Sequence, residues 1–274
     1  MKIIYDSTCL EYSKLGHPES SKRVENIYRV LKENGHQFLQ PEKVTEEDVE
    51  KVHTKEHWKS VRDESYFDCD TPVIDIKHVL MSVGSAIKAA QVLGFSLSRP
   101  PGHHAKKEGV GGFCYFNNLA IAVAKVLPKY KKIAILDIDV HHGDGTQDIF
   151  IGKKNVLYCS IHQSPIFPGT GLVSEQNCLN FPLPSGTEDT EYLKYLDKCL
   201  GEIKKFKPGL LAVSAGFDTY ELDPIGGFKL KKESYTKIGK KIKELELPCF
   251  FVLEGGYSDD LGELVLNLIK GFED

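Results

Sequence analysis

Short apolar runs alternate along the chain with longer segments of helical periodicity, and this alternation constrains the fold more than any other feature. Nearly all-apolar strands that alternate with helices are typical of a parallel sheet covered by helices on both faces. We therefore predict an α/β fold with a mainly parallel sheet. Six runs are predicted as strands: Lys2–Tyr5, Gly94–Ser98, Ile133–Val140, Val156–Ile161, Leu210–Ala215 and Phe250–Glu254.

Six segments with apolar residues at helical spacing lie between or beside these strands. In the first, Val24, Ile27 and Leu31 share one face, and Gly35 is a typical helix stop. No repeat, low-complexity tract or Pro/Gly/Ser-rich linker interrupts the pattern, so we predict one domain over residues 1–274. The other helices are predicted over about 75–93, 117–127, 188–206, 231–245 and 258–269.

The charge and the apolar runs argue against nucleic-acid and membrane binding. The formal net charge is -4, and only four of the 35 Lys and Arg residues are arginines. Bidentate recognition of phosphates and bases depends on arginine, so nucleic acid is not an expected partner. No apolar run approaches the roughly 18 residues that suggest a membrane span.

The cysteines and the start of the chain indicate the compartment. The seven cysteines are scattered, and no two lie closer than 19 positions, so no C-x-x-C motif exists. Scattered cysteines in a chain of this length are typical of buried thiols in a reducing compartment. In Met1–Asp6 a charge follows three apolar residues, too early for a signal-peptide core. We expect a cytoplasmic protein, with a nuclear location left open and no prediction of oligomeric state.

Polar segments follow four of the predicted strands. Ligands of open parallel sheets bind beyond the carboxyl ends of the strands, which is where these segments fall. They include two histidine doublets, which hold four of the ten histidines. The segments are Arg99–His104, Asp137–Gly145, Ser214–Asp218 and Leu253–Tyr257.

The second of these segments indicates a metal site. Because side chains alternate along a strand, Asp137, Asp139 and His141 share one side while the chain stays extended. Two carboxylates and an imidazole in an apolar sheet are costly unless a cation is bound. With Asp218 from a neighbouring strand end, Asp139 and His141 give three ligands and an open position, as in catalytic sites. This donor set suits zinc, with ferrous iron as the alternative.

Other interpretations of these residues are weaker. The Asp-x-Asp-x-His segment could form a calcium loop that ends at Asp148, but a strand precedes it and His142 stands where the loop needs glycine. Cys114 lacks an orienting group in the sequence and is interpreted as packing or site wall. No nucleophile-elbow serine, dinucleotide or Walker motif is present. The histidines that occur singly in the sequence are interpreted as surface or core residues: His17, His36, His53, His57, His78 and His162.

Six motifs, taken in order, resemble the zinc-dependent histone deacetylase family and its acetoin-utilisation and acetylpolyamine amidohydrolase relatives. His17–Glu19 followed by Arg23 is similar to the family's opening segment. The resemblance implies the three-layer arginase/deacetylase fold and an amidohydrolase that removes acetyl or related acyl groups from an amine. The motifs are Arg99–Lys107, Gly112–Asn117, Asp137–Thr146, Phe167–Gly171, Ser214–Pro224 and Leu253–Tyr257.

The resemblance implies two cation sites. Zinc would be bound by Asp139, His141 and Asp218, the set that the residue types also indicate. A structural potassium ion would take oxygens from Asp137, Asp139, His141, Ser160 and Ile161.

The resemblance also implies the catalytic groups. His103 and His104 would be paired histidines, oriented by Asp137 and Asp144 respectively, and Tyr257 would donate a hydrogen bond to the substrate carbonyl. The metal would activate water and His104 would act as general base and then acid. His103 and Tyr257 would stabilise the oxyanion.

The implied acyl tunnel is walled by Gly112, Phe113 and Phe167. Ile225 stands where polyamine-specialised relatives carry an acidic residue, and an apolar side chain cannot pair with a secondary ammonium. We therefore predict acyl-lysine as the substrate, with acetylpolyamine or another small acylated amine as the alternative. A more distant alternative is a non-catalytic protein that binds acyl-lysine. The binuclear manganese ureohydrolases are not favoured, because they need a carboxylate where Gly143 stands.

The chain is shorter than most of this family in its amino-terminal third. The link Val61–Val73 replaces a longer loop that in many relatives carries an acidic residue holding the substrate backbone. Asp63, Glu64 and Asp68 are the candidates, but none aligns with that residue, so no clamp is assigned. We expect a wide mouth with weak selectivity for peptide sequence.

Overall fold

The computed structural model describes residues 1–66 and 75–274. In this part of the chain, eight strands form one sheet in which every pair of neighbours is parallel. The strands are β1 (Lys2–Ile4), β2 (Gln37–Leu39), β3 (Phe95–Ser96), β4 (Ile133–Asp137), β5 (Val156–Gln163), β6 (Cys178–Leu183), β7 (Leu210–Ala215) and β8 (Cys249–Leu253). Their order across the sheet is β2-β1-β3-β8-β7-β4-β5-β6.

Helices cover both faces of the sheet, which confirms the predicted three-layer α/β architecture. Alternate residues of β4 show the two layers: Ala134 and Leu136 join one apolar core, whereas Ile133 and Ile135 join the other. The first core is completed by α1 (Ser21–Glu33), α7 (Asp189–Phe206), α8 (Lys232–Lys243) and α9 (Leu261–Glu273). The second is completed by α2 (Glu46–Val49), α3 (Lys55–Arg62), α4 (Ile76–Val92), α5 (Asn118–Tyr130) and α6 (Asp144–Phe150).

All the predicted helices form. The strands and helices that the sequence does not predict are short or lie at an edge of the sheet. Strand β2 has only three residues, and β6 is an edge strand that contains Pro182, which strand patterns rarely tolerate. Helices α2, α3 and α6 span four, eight and seven residues, too few to show a clear helical period. Within the described ranges, no helix is both long and apolar enough to cross a membrane.

Two predicted strands are too long: Gly94–Ser98 forms a strand only over Phe95–Ser96, and β4 ends at Asp137 and not at Val140. The Asp137 carboxylate accepts the backbone N–H of Asp139 at 3.2 Å, and the Asp139 carboxylate accepts that of His141 at 2.9 Å. Aspartate side chains that bond the backbone two residues later favour turns over strands. The chain therefore leaves the sheet at Asp137, so the alternation of side chains along a strand does not extend to Asp139 and His141.

The strands that carry the polar segments are neighbours. The histidine doublet follows β3, Leu253–Tyr257 overlaps the end of β8, Ser214–Asp218 overlaps the end of β7, and Asp139 follows β4. Because all these strands are parallel, the four segments meet at one edge of the sheet.

Candidate active site

Three side chains from two strand ends form a compact cluster. One ligand atom from each of Asp139, His141 and Asp218 lies within 4.8 Å of the other two, and among the described residues this is the only such group of His, Cys, Asp or Glu. The Nδ1 atom of His141 lies 3.0 Å from Asp139 Oδ1 and 3.2 Å from Asp218 Oδ2. The calcium-loop alternative fails, because Asp148 accepts the Lys107 N–H instead of joining this cluster.

Backbone N–H groups hold the outer oxygens of both carboxylates. Asp139 Oδ2 accepts from Gly255 at 2.8 Å, and Asp218 Oδ1 accepts from Val140 at 2.8 Å. A Cβ at Gly255 would lie 2.1 Å from Asp218 Oδ2, so only glycine lets the β8 loop pass this close. These contacts turn the remaining oxygens, Asp139 Oδ1 and Asp218 Oδ2, toward His141 Nδ1.

The cluster fits a bound divalent cation. Asp218 Oδ2 is buried and accepts no hydrogen bond, which is rare for a carboxylate oxygen unless an ion binds it. Burial and the charge of Asp139 raise the pKa of Asp218 to about 7. Burial alone would lower the pKa of His141, but its close contacts with the carboxylates of Asp139 and Asp218 raise it to about 10. A cation would neutralise the two crowded carboxylates in place of these protons, and one nitrogen with two oxygens suits zinc or ferrous iron.

The first histidine of the doublet is paired with the carboxylate that ends β4. His103 Nδ1 lies 3.1 Å from Asp137 Oδ2, which also accepts the Tyr158 hydroxyl at 3.0 Å. Although burial lowers the pKa of His103, the charges of Asp139 and Asp137 raise it well above its usual range. A Cβ at Gly143 would lie 2.3 Å from Asp137 Oδ2, so this pair also depends on a glycine.

The second histidine has its own carboxylate. His104 Nδ1 lies 2.8 Å from Asp144 Oδ1, and Asp144 also pairs with Lys106 at 3.0 Å. Burial and the neighbouring His103, whose ring centroid is 4.0 Å away, lower the pKa of His104 to about 3. The pKa values of the two histidines therefore shift in opposite directions, which favours a charged His103 and a neutral His104.

Tyr257 is held on the opposite side by its backbone and its ring. Its N–H donates to Asp223 Oδ2 at 2.7 Å, and the Arg23 guanidinium lies 4.6 Å from its ring centroid. Arg23 also donates to the backbone oxygens of Glu254 and Gly256 at 2.5 and 2.6 Å. Burial raises the pKa of Tyr257 well above its usual range, so its hydroxyl stays neutral.

A buried ion-pair network supports the loop that carries Tyr257. Glu19 is fully buried and pairs with Arg99 at 2.5 Å and with Arg23 at 3.2 Å. The buried Glu254 accepts the backbone N–H groups of Gly102 and His103 at 2.8 and 3.2 Å. The network therefore connects the loop of the doublet to the loop of Tyr257.

His103, His104 and Tyr257 line a cavity of about 460 Å³, with Asp139 and His141 of the metal-binding cluster at its floor. The four residues predicted to wall a tunnel all line it: Gly112, Phe113, Phe167 and Ile225. The Phe167 ring lies 5.0 Å from the His104 ring and is half exposed at the mouth. Neither described candidate for the acidic residue that would hold the substrate backbone is available at the cavity. The exposed Asp63 pairs with Arg62, and Glu64 does not line the cavity. Asp68 lies outside the described residues.

Ser160 and Ile161, predicted as potassium ligands, lie in β5 beside the metal-binding cluster. Ser160 is the register partner of Asp137, and its hydroxyl contacts His162 at 2.9 Å. These contacts do not test whether the two residues bind a cation, so the potassium site stays a prediction. Cys114 is buried, and burial raises the pKa of its thiol well above its usual range, as expected of a packing residue.

Several residues that shape the site carry no clear signal in the sequence. His17, predicted as a surface or core residue, lines the cavity with Lys14, and its ring lies 4.7 Å from that of Phe113. Tyr158 and Glu254 were not assigned separate roles. Glu254 belongs to the quoted Leu253–Tyr257 motif, whereas Tyr158 lies within an apolar strand pattern that carries no signal of its hydrogen bond to Asp137.

Comparison with known proteins gives a consistent result. The sequence profile of the histone deacetylase domain matches residues 17–271. A probable deacetylase of Archaeoglobus fulgidus is 38% identical over 275 residues, which cover 88% of this chain and 77% of the relative. Acetylpolyamine amidohydrolase 2 of Pseudomonas aeruginosa is 40% identical over 192 residues, which cover 65% of this chain and 56% of the relative.

The fold is similar to that of a solved structure over almost the whole chain. The crystal structure of the HDA15 HD domain superposes with a TM-score of 0.92 at 29% sequence identity. The superposition covers 98% of this chain and 90% of that domain.

Proposed function

The chain belongs to the histone deacetylase family, and we propose that it removes acetyl or related acyl groups from lysine side chains by metal-dependent hydrolysis. One observation carries the proposal. The buried Asp139–His141–Asp218 cluster lies at the floor of an apolar-walled cavity, beside two histidines that each have their own carboxylate. This combination would bring a metal site, a base and an oxyanion donor together at one point.

A divalent cation held by Asp139, His141 and Asp218 would supply Lewis acidity, which lowers the pKa of water and polarises an amide carbonyl. The chain's own residues then provide the proton transfers. Asp144 occupies Nδ1 of His104, so Nε2 is the atom left to take a proton from water and to return it to the leaving amine.

His103 and Tyr257 are the proposed oxyanion donors. Both line the cavity together with Asp139 and His141 of the metal-binding cluster. Asp137 holds Nδ1 of His103, which leaves Nε2 as the donor, and the neutral Tyr257 hydroxyl would be the second donor. Donors fixed in a water-poor site stabilise developing charge without reorganising.

A structural potassium ion remains part of the proposal. Its ligands would be oxygens of Asp137, Asp139, His141, Ser160 and Ile161. The register pairing of Asp137 with Ser160 places the first and fourth of these residues on adjacent strands, which supports the proposal.

The wall of the cavity favours acyl-lysine as the substrate. Phe113, Phe167 and Ile225 give an apolar passage that suits the four methylenes of a lysine side chain. Asp223, two residues before Ile225, already accepts three backbone N–H groups and is not free for an ammonium. The similarity to acetylpolyamine amidohydrolases supports acetylpolyamine as the second candidate.

A panel of substrates tests the proposal. The metal-loaded protein is assayed with an acetyl-lysine peptide, acetylspermidine, acetylputrescine and arginine, before and after chelation. We expect hydrolysis of the peptide, loss of activity on chelation and recovery on adding zinc or ferrous iron. Activity on arginine alone, or full activity without metal, would contradict the proposal.

A further inference from the structure

Among the described residues that line the cavity, Lys14 at the mouth is the one cationic residue apart from histidines. Lys14 is exposed, and its ammonium forms no ion pair with a described residue. The only carboxylate in the described lining is Asp139, at the floor. The mouth therefore presents an unpaired positive charge to an approaching substrate.

The backbone around Lys14 is fixed by buried contacts. Arg99 donates to the Tyr12 carbonyl at 2.6 Å and pairs with Glu19, so both ends of this segment are tied to one guanidinium. Between them, His17 N–H donates to the Lys14 carbonyl at 3.0 Å and closes a turn. The turn rests on Phe113 through the His17 ring. Lys14 is thus placed at the mouth by the fold and not by a free tail.

The acidic residues nearest to this segment are occupied. Glu19 is bound by Arg99 and Arg23, and Glu11 pairs with Lys77 at 2.6 Å. Asp223, two residues before Ile225 of the cavity wall, accepts three backbone N–H groups. Within the described chain, none of these carboxylates is available to offset Lys14 or to hold a second ammonium of a polycation.

We propose that Lys14 is a specificity residue that favours acylated amines with a carboxylate close to the acylated nitrogen and disfavours polycations. The substrate class is acyl-lysine with an adjacent Asp or Glu, which rests on the proposed function. The exposed Leu15 and Phe167 supply apolar contacts beside this charge. An ion pair at an exposed rim gives a modest preference, which agrees with weak selectivity for peptide sequence.

Three peptides that differ only in the residue next to acetyl-lysine test this inference. With Glu, Gln or Lys at that position, we expect kcat/KM to fall in this order, by roughly two- to fivefold between Glu and Lys. The difference should shrink in 0.5 M salt, because exposed charges are screened. K14E should reverse the order and raise kcat/KM for acetylspermidine relative to the Gln peptide.

A matched variant controls for net charge. Lys154 is exposed just before β5, at the opposite edge of the sheet, so K154E makes the same charge change far from the mouth. It should keep the wild-type order. The inference is overturned if K14E also keeps that order, or if the wild type prefers the Lys peptide.

The proposed function and this inference fail in different ways. If the metal-loaded wild type does not hydrolyse the Gln peptide, the proposed function is contradicted. Peptide binding by fluorescence polarisation then still measures the preference for charge. Equal Kd values for the Glu and Lys peptides would overturn the inference, and tighter binding of the Glu peptide that K14E reverses would support it.

Discussion

The floor and the mouth of the cavity are built on different principles. At the floor, Asp139, His141 and Asp218 are buried, and backbone N–H groups or strand ends fix them. At the mouth, Lys14 and Phe167 are exposed on loops. A rigid and buried floor can hold a metal and orient proton donors, whereas an exposed mouth can only adjust which substrates enter. Changes at the floor should therefore alter chemistry, and changes at the mouth should alter binding.

The largest effect is expected at the metal-binding cluster. H141A removes the nitrogen that faces both carboxylates, so we expect loss of the divalent metal and a fall in kcat of at least about 10³-fold. Elemental analysis of the purified protein measures the metal, and circular dichroism checks the fold. Full metal occupancy in H141A would contradict the ligand assignment.

The next effect is expected at the oxyanion donor. Y257F keeps the ring against Arg23 and removes only the hydroxyl, so the variant should fold and retain metal. Loss of one such donor typically costs about 10² to 10³ in kcat. Near-wild-type turnover of an acetyl-lysine peptide would exclude this role for Tyr257.

A smaller effect is expected from the residue that positions Tyr257. R23K keeps the positive charge beside Glu19 but cannot reproduce the two hydrogen bonds to the Glu254 and Gly256 carbonyls. We expect kcat to fall on the order of tenfold with KM little changed, because the donor is displaced and substrate contacts are kept. The fall should be much smaller in a Y257F background. An equal fall in both backgrounds would indicate a purely structural role.

The smallest effect is expected at the mouth. F167A removes an apolar wall beside His104, so we expect KM for an acetyl-lysine peptide to rise roughly three- to tenfold with kcat nearly constant. L172A is the control, because Leu172 is similarly exposed on the same loop but does not line the cavity. A large change in kcat for F167A with KM unchanged would break the division between floor and mouth.

The sequence predicted the floor better than the mouth, for a physical reason. Asp139, His141 and Asp218 follow apolar strands, and parallel strands bring their carboxyl ends together. Strand periodicity misplaced the end of β4, because side-chain bonds from Asp137 and Asp139 turn the backbone sooner than the apolar pattern suggests.

The mouth is built from segments that carry no periodic signal. Lys14 and His17 lie in an irregular segment more than 80 residues before the doublet, and the buried Arg99 contacts and the packing of the His17 ring on Phe113 hold that segment at the cavity. Single-sequence patterns do not report contacts of this kind. The resemblance, and not the periodicity, pointed to Phe113 and Phe167.

The most direct test of the central claim is anomalous diffraction at the zinc or iron edge from crystals of the active, metal-loaded protein. We expect one strong peak within about 2.0–2.2 Å of Asp139 and Asp218 oxygens and of the His141 Nδ1 atom. The peak should be lost on chelation together with activity. A peak elsewhere, or none in crystals that still hydrolyse substrate, would contradict the claim that this floor holds the catalytic metal.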